Sequence, residues 1–196
     1  MTIEARISKH FEQSGQLQLE LAGLLAAPIA RAAEAIVEAL LNEHKILTCG
    51  NGGSAASAQY FASLMLNRYE MERPGLAAIA LCSNNTTLTS IANENHFEQV
   101  YSKQVCALGM EGDVLLALCA SGNSKNVLKA ITAAKERGMR IIAMTGGDGG
   151  GVVELLGEHD IHLGVPHDNA SRIHETYMLI LHCLCDAIDC LLLGVN

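Results

Sequence analysis

Lys45-Ile46-Leu47-Thr48-Cys49-Gly50-Asn51-Gly52-Gly53-Ser54 is the stretch that decides the fold of this chain. Its apolar first half predicts a strand, its glycines predict a tight turn, and the small residues that follow predict the start of a helix. Such a junction leaves backbone N–H groups unpaired and points the positive end of the helix dipole at the turn. The glycines let a ligand approach the backbone, and Ser54 can cap the helix. The stretch therefore favours an anion such as phosphate, although a turn that binds nothing has the same pattern.

A second stretch repeats this arrangement. Residues 112–118 predict a strand, residues 119–124 predict a turn with Ser121 and Ser124, and residues 125–137 predict a helix. Turns that follow parallel strands open at the same edge of the sheet. We therefore expect the two turns to form one binding site.

The bulk composition predicts one domain over residues 1–196, with a helical assembly segment at 1–43 and the sheet, loops and final helix at 44–196. Hydrophobic residues make up 49% and the mean hydropathy is +0.23. No apolar run approaches the roughly 20 residues of a membrane span, so we expect no membrane contact and assign the excess apolar surface to subunit contacts. The first residues lack a signal pattern, which predicts a cytoplasmic protein. A net charge of -8 argues against direct nucleic-acid binding.

The remaining pattern alternates helices and strands. We expect two amphipathic helices, over residues 2–26 and from Pro28 to residue 42, and strands near residues 45–49, 77–81, 114–118, 140–145 and 160–165. This order predicts an α/β fold with a doubly wound parallel sheet. Residues 50–55 also fit a dinucleotide-binding pattern, but the next strand ends at Cys82 without the carboxylate that grips a ribose. The sequence therefore disfavours a nucleotide ligand.

Five motifs resemble those of the sugar isomerase (SIS) superfamily, in the same order and specifically in its phosphoheptose isomerase branch. They are Cys49-Gly50-Asn51-Gly52-Gly53-Ser54, Arg73-Pro74, Glu111-Gly112-Asp113-Val114-Leu115-Leu116, Ser121-Gly122-Asn123-Ser124 and Thr145-Gly146-x-Asp148-Gly149-Gly150. Within that branch, residues 183–189 and 67–74 are most similar to the DnaA initiator-associating protein. The resemblance implies a five-stranded flavodoxin-like sheet (the SIS fold), extra N-terminal helices, and a homotetramer with sites between subunits.

The isomerase reaction moves one proton between adjacent carbons and another between their oxygens, which calls for a carboxylate and a group such as histidine. In the phosphoheptose isomerases a Glu, four residues beyond a His, supplies the carboxylate, and the pair can also hold zinc. The matching positions here hold Leu64 and Tyr60. We therefore predict no metal and no cofactor, with zinc possible only if the chain is a working isomerase.

The final helix supplies the rest of the family's site, and its positions match His174 and His182. His182 is a candidate catalytic residue, with a buried or interface histidine as the alternative. Glu94 is the best remaining pocket carboxylate and the second catalytic candidate, while Glu175 is either a substitute base or a solvated charge. The predicted ligand-binding residues are Asn51, Gly52, Gly53, Ser54, Ser121, Asn123, Ser124 and His174.

These features lead to two functional hypotheses. The first is a phosphosugar-binding SIS protein that associates with a DnaA-type initiator and regulates replication initiation, with a degenerate isomerase site. The alternative is a phosphoheptose isomerase that converts sedoheptulose 7-phosphate to glycero-manno-heptose 7-phosphate. Leu64 and Tyr60 favour the first. The predicted partners are other copies of the chain, the DnaA-type initiator and a sugar phosphate.

Overall fold

The computed structural model describes residues 1–194. Five strands alternate with seven α-helices in this range, and a single 3-10 turn, Phe97–Gln99, precedes α4. The elements in chain order are α1 (Ile3–Leu41), β1 (Ile46–Gly50), α2 (Gly53–Leu66), β2 (Ala78–Ala80), α3 (Asn85–Glu94), α4 (Ser102–Leu108), β3 (Val114–Cys119), α5 (Lys125–Glu136), β4 (Arg140–Gly146), α6 (Gly150–Leu155), β5 (Ile161–Val165) and α7 (Ala170–Leu193).

The five strands form one parallel sheet in the order β2-β1-β3-β4-β5. This is the flavodoxin-like, doubly wound arrangement that the sequence predicts. Every residue of β1 and β3 is buried, because helices cover both faces of the sheet and the strands are continuous apolar runs. The winding reverses between β1 and β3, so the turns after these two strands lie side by side at the carboxyl edge.

The N-terminal segment is one helix of 39 residues, and the prediction of two helices that separate at Pro28 is wrong. A proline inside a helix removes one hydrogen bond and crowds the preceding turn. Alanines on both sides of Pro28 favour the helix, and Leu25 and Ile29 are buried together on one side of it. The free energy gained by burying Leu25 and Ile29 therefore offsets the hydrogen bond that α1 loses at Pro28.

The final helix, α7, packs along α1 and contributes ten buried residues to the core. Within residues 1–194 it is the one helix that is long and apolar enough to cross a bilayer, with a mean hydropathy of 1.7. The prediction that no apolar run approaches membrane length is therefore wrong. Its apolar side chains form part of the protein core: Leu181, Leu184 and Ile188 are completely buried.

The helices α2 and α7 run parallel to each other, and a buried ion pair joins their C-terminal ends. Arg73 donates from Nε to Asp189 at 2.5 Å, and both side chains are 1% exposed. Arg73 also donates to the carbonyl oxygens of Leu64 and Met65, in the last turn of α2, where helix carbonyls lack partners. Arg73 thus caps α2 and ties it to α7.

Candidate functional site

A cleft of about 660 Å³ lies at the carboxyl edge of the sheet. It is open on one side and is bounded by the segments that follow β3, β4 and β5 and by one side chain of α7. The lining residues are Ala120, Ser121, Gly146, Gly147, Asp148, Pro166, His167, Asp168 and Ile173. The structure therefore places a cavity where the parallel topology predicts a ligand.

The first turn leaves Gly52 and Gly53 exposed at the start of α2. Gly52 is the N-cap residue, with φ 55° and ψ −120°, and no side chain caps the helix. The prediction that Ser54 caps α2 is therefore wrong: Ser54 lies inside the first turn of the helix and is 3% exposed. Because the backbone must pass through positive φ before the helix can begin, glycine suits this position better than a residue with a side chain.

Asn51 holds the first turn to α5. Its amide exchanges two hydrogen bonds of 2.8 Å with the amide of Asn126, one in each direction. The hydroxyl of Tyr101 donates to the carbonyl oxygen of Gly50 on the other side of the turn. Both terminal atoms of the Asn51 side chain are therefore committed to the scaffold. These bonds fix the turn, and contact of Asn51 with a ligand stays a prediction.

The second turn presents two hydroxyls at the start of α5. Ser121 Oγ and Ser124 Oγ lie 3.5 Å apart, and the backbone N–H of Asn123 donates to Ser121 Oγ at 3.2 Å. The side chain of Asn123 accepts from the N–H of Gly151, which ties the turn to α6. Gly122 has φ 67°, and a side chain there would overlap the carbonyl oxygen of Gly149.

His174 covers the first turn from α7. A Cβ placed on Gly53 would lie 3.0 Å from the imidazole ring, so the ring rests directly on the glycine backbone. The ring meets Tyr177 edge-on at 5.7 Å, and its Nδ1 atom is buried without a hydrogen-bond partner among residues 1–194. The structure thus brings His174 to the predicted anion site.

His182 lies elsewhere along α7, eight residues or about 12 Å of helix beyond His174. Its Nε2 atom is 3.2 Å from the hydroxyl of Tyr60 on α2. The ring of Tyr69 stacks on it at 5.7 Å and 26°. A single chain therefore holds the two predicted histidines at separate places, one at the turns and one between two tyrosines.

No carboxylate joins His182 in the described part of the chain. Leu64, one turn after Tyr60, is half-buried and packs against the core. Glu94 is the exposed last residue of α3, and residues 1–194 give its side chain no hydrogen bond or ion pair. Its catalytic role stays a prediction. Glu175 pairs with the buried guanidinium of Arg172 at 2.6 Å, which engages one of its oxygens.

These residues do not fit a zinc ion of the kind that the resemblance implies. Leu64 offers no donor atom, and Tyr60 already engages the Nε2 atom of His182. Among residues 1–194, no three His, Cys, Asp or Glu side chains are grouped so as to hold a metal. We therefore derive no chemical step through a metal.

Sequence reasoning missed three contacts: the Asn51–Asn126 and Tyr60–His182 pairs of the site region, and the bond of a half-buried histidine on β5 to a threonine on β4. His162 bonds to Thr145 Oγ1 at 2.7 Å, and burial lowers the pKa of its imidazole. The partners in each contact are separated by 17 to 122 residues in the chain. The sequence shows that each partner is polar, but it does not show which residue each one contacts.

Comparisons with known proteins give one family for the chain. Residues 9–146 match the SIS domain model. The chain is 60% identical over its full length to the phosphoheptose isomerase of Aromatoleum aromaticum, with 99% of that protein covered, and 58% identical to that of Azoarcus sp. strain BH72, with 100% covered. The solved structure of a phosphoheptose isomerase from Francisella tularensis superposes with a TM-score of 0.93 at 47% identity, covering 96% of this chain and 99% of that one.

Proposed function

This chain belongs to the SIS domain family and to its phosphoheptose isomerase branch, and we propose that it binds a sugar phosphate in the cleft at the carboxyl edge. One observation carries the proposal: Ser121 lines the cleft and presents its hydroxyl 3.5 Å from that of Ser124 at the N-terminus of α5, which the Asn51–Asn126 bonds hold beside the turn before α2. Unpaired N–H groups and two helix dipoles favour a phosphate at this point. The cleft volume also falls within the range of small-molecule sites.

The activity that we propose to test is the aldose–ketose conversion of sedoheptulose 7-phosphate. The comparisons favour this reading over the DnaA-associating one, because the similar proteins are named phosphoheptose isomerases. The geometry supports binding better than fast turnover, since His182 has Tyr60 as its polar neighbour in place of a carboxylate. A phosphorylated metabolite as ligand agrees with the cytoplasmic location that the sequence predicts.

Removing both hydroxyls in a Ser121→Ala/Ser124→Ala variant should weaken sugar-phosphate binding by about 0.5–1.5 kcal/mol for each lost hydrogen bond. Calorimetric titration with sedoheptulose 7-phosphate measures the change. Thr132→Ala is the control, because Thr132 is exposed on α5 and its hydroxyl bonds to Leu128 within the same helix. Equal affinity in the double variant and the control would place the phosphate elsewhere.

We also propose that the chain assembles through α1 and α7, as a tetramer. An apolar groove of about 350 Å³ runs between the two helices, and Leu179 on its wall is 44% exposed. The first turns of α1 expose Ile3, Ile7 and Phe11, which lie four residues apart. Leaving this apolar surface in water is unfavourable, so burial against other copies is expected.

A charge in the groove should break this assembly. We expect Leu179→Glu to shift sedimentation from tetramer to smaller species, whereas Val153→Glu, at a residue 39% exposed on α6, should leave the tetramer intact. Leu184, also on α7, is completely buried within one chain, so a charge there would disturb folding and would not test assembly. A wild-type monomer, or a Leu179→Glu tetramer, contradicts this assembly.

A DnaA-type initiator remains a second proposed partner, supported by the local resemblance of residues 67–74 and 183–189 and by the apolar Leu64 at the position of the isomerase base. Repeated faces of a tetramer would strengthen weak contacts with several initiator molecules. Capture of purified DnaA by the wild-type chain, and weaker capture by Leu179→Glu, is the expected result. A tetramer that does not retain DnaA contradicts this partner.

A further inference from the structure

His167 lies in the loop between β5 and α7, on the wall of the cleft at the carboxyl edge. Both polar groups of its backbone are engaged: the N–H donates to the carbonyl oxygen of Val165 at 2.8 Å, and the carbonyl oxygen accepts from the N–H of Gly147 at 3.2 Å. Pro166, the residue before it, has a backbone dihedral that its own ring fixes. The half-buried imidazole is therefore attached to a backbone that is held in place.

A further contact fixes the imidazole ring itself. The backbone N–H of Asn169 donates to Nδ1 of His167 at 2.9 Å. Asn169 is the N-cap residue of α7, and its side chain accepts from the N–H of Ser171, so this donor belongs to the start of the helix. A neutral imidazole that accepts at Nδ1 carries its proton on Nε2. Residues 1–194 give that Nε2 atom no partner, and it is not enclosed by the protein, so its N–H is a free donor.

The charged groups beside this donor are acceptors. Asp148 and Asp168 line the same cleft, and Asp148 uses one carboxylate oxygen to accept from the N–H of Gly150 at 3.0 Å. Two carboxylates repel a phosphate, whereas a hydroxyl group can both donate and accept a hydrogen bond. One imidazole donor between two carboxylate acceptors therefore matches the hydroxyl groups of a sugar better than it matches an anion.

We propose that His167 is a specificity-determining residue, which donates from Nε2 to a sugar hydroxyl while Ser121 and Ser124 hold the phosphate of the same ligand. The proposal rests on the proposed function. Ser121 follows β3 and His167 follows β5, and β4 lies between these strands. Neighbouring strands are about 4.8 Å apart, so the two ends of the ligand site are separated by about 10 Å. A ligand that contacts both ends needs a chain of several carbon atoms beyond its phosphate.

The variants His167→Asn and His167→Gln separate the two ring nitrogens. Asparagine puts an amide oxygen near the position of Nδ1 and nothing at Nε2, whereas glutamine reaches the position of Nε2 with an N–H donor. We expect His167→Asn to bind sedoheptulose 7-phosphate about 2- to 12-fold more weakly than the wild type, the range for one neutral hydrogen bond, and His167→Gln to stay within about 2-fold of it. Inorganic phosphate, which has no hydroxyl chain, should bind equally to all three. His159→Asn is the control, because His159 is exposed just before β5, at the opposite edge of the sheet.

Nitrogen NMR of labelled histidine tests the donor in the free chain, at a pH of about 8.5 where an ordinary imidazole is neutral. The signals that disappear in His167→Gln belong to His167. We expect them to show the Nε2–H form, and the Nε2 resonance to move when sedoheptulose 7-phosphate is added but not when inorganic phosphate is added.

Four results overturn this role of His167. The Nδ1–H form in the free chain removes the donor, and wild-type affinity in His167→Asn removes its contact with the ligand. Equal losses in His167→Asn and His167→Gln show that the Nε2 donor is not what binds, and an equal loss of affinity for inorganic phosphate in His167→Asn places the phosphate at His167. In all four cases sugar-phosphate binding stands. A wild-type chain that binds no sedoheptulose 7-phosphate overturns the proposed function together with the role of His167.

Discussion

Replacing Asp189 with alanine is expected to lower the free energy of unfolding by about 3–5 kcal/mol, the cost of leaving a buried charge without its partner. Arg73 would keep its charge at a position 1% exposed and lose its 2.5 Å contact. Urea denaturation measures the change as a lower midpoint at constant slope. The variant should also loosen the alignment of α2 and α7, and with it the contact between Tyr60 and His182.

The chain offers a matched comparison for this prediction. Arg68 and Glu72 form an ion pair of 3.0 Å at the surface, where the Glu72 side chain is 87% exposed. Water and salt screen such pairs, so Glu72→Ala should cost at most about 1 kcal/mol. If Asp189→Ala costs no more than Glu72→Ala, the buried pair does not hold the two helices together. A double variant with apolar residues of similar size at both positions should recover much of the loss.

The second large effect concerns turnover. We expect sedoheptulose 7-phosphate to react about 10²–10⁴ times more slowly than with a phosphoheptose isomerase that has glutamate at the position of Leu64. The physical reason is that Leu64 cannot accept the proton that must move between carbons. A coupled assay, with purified chain in the presence and absence of zinc, measures the rate. Turnover equal to that of such an isomerase would show that another residue is the base.

The same assay identifies the missing group. Leu64→Glu places a carboxylate one turn from Tyr60 and should raise kcat, whereas Leu64→Gln, of similar size, supplies no base and should not. Tyr60→His combined with Leu64→Glu tests whether the His and Glu pair of the phosphoheptose isomerases gives a higher kcat than Leu64→Glu alone. If the wild-type chain is active without a glutamate at position 64, loss of activity in Glu94→Gln would assign the base to Glu94.

Much of the fold could be predicted because its signals are local. Apolar runs and glycine-rich turns predict the five strands and the last helix within one or two residues, and their alternation predicts a parallel sheet. Pro28 misled the prediction because a proline is a local signal for a helix start, whereas the continuity of α1 depends on burial of Leu25 and Ile29 within the core. Tertiary packing outweighed a local preference there.

The site was predictable in part for the same reason. The two turns lie together at the carboxyl edge because parallel topology requires it, and His174 packs on the first of them. The links among elements were not predictable: Asn51 with Asn126 spans 75 residues, and Arg73 with Asp189 spans 116. A sequence displays both polar residues of each pair without indicating which partner each one meets.

The most direct test of sugar-phosphate binding is a crystal structure of the wild-type chain soaked in sedoheptulose 7-phosphate. We predict a phosphate within hydrogen-bond distance of Ser121 and Ser124, at the N-terminus of α5, with the sugar extending along the cleft at the carboxyl edge. An empty cleft at saturating ligand, or a phosphate bound away from both glycine-rich turns, would contradict the account.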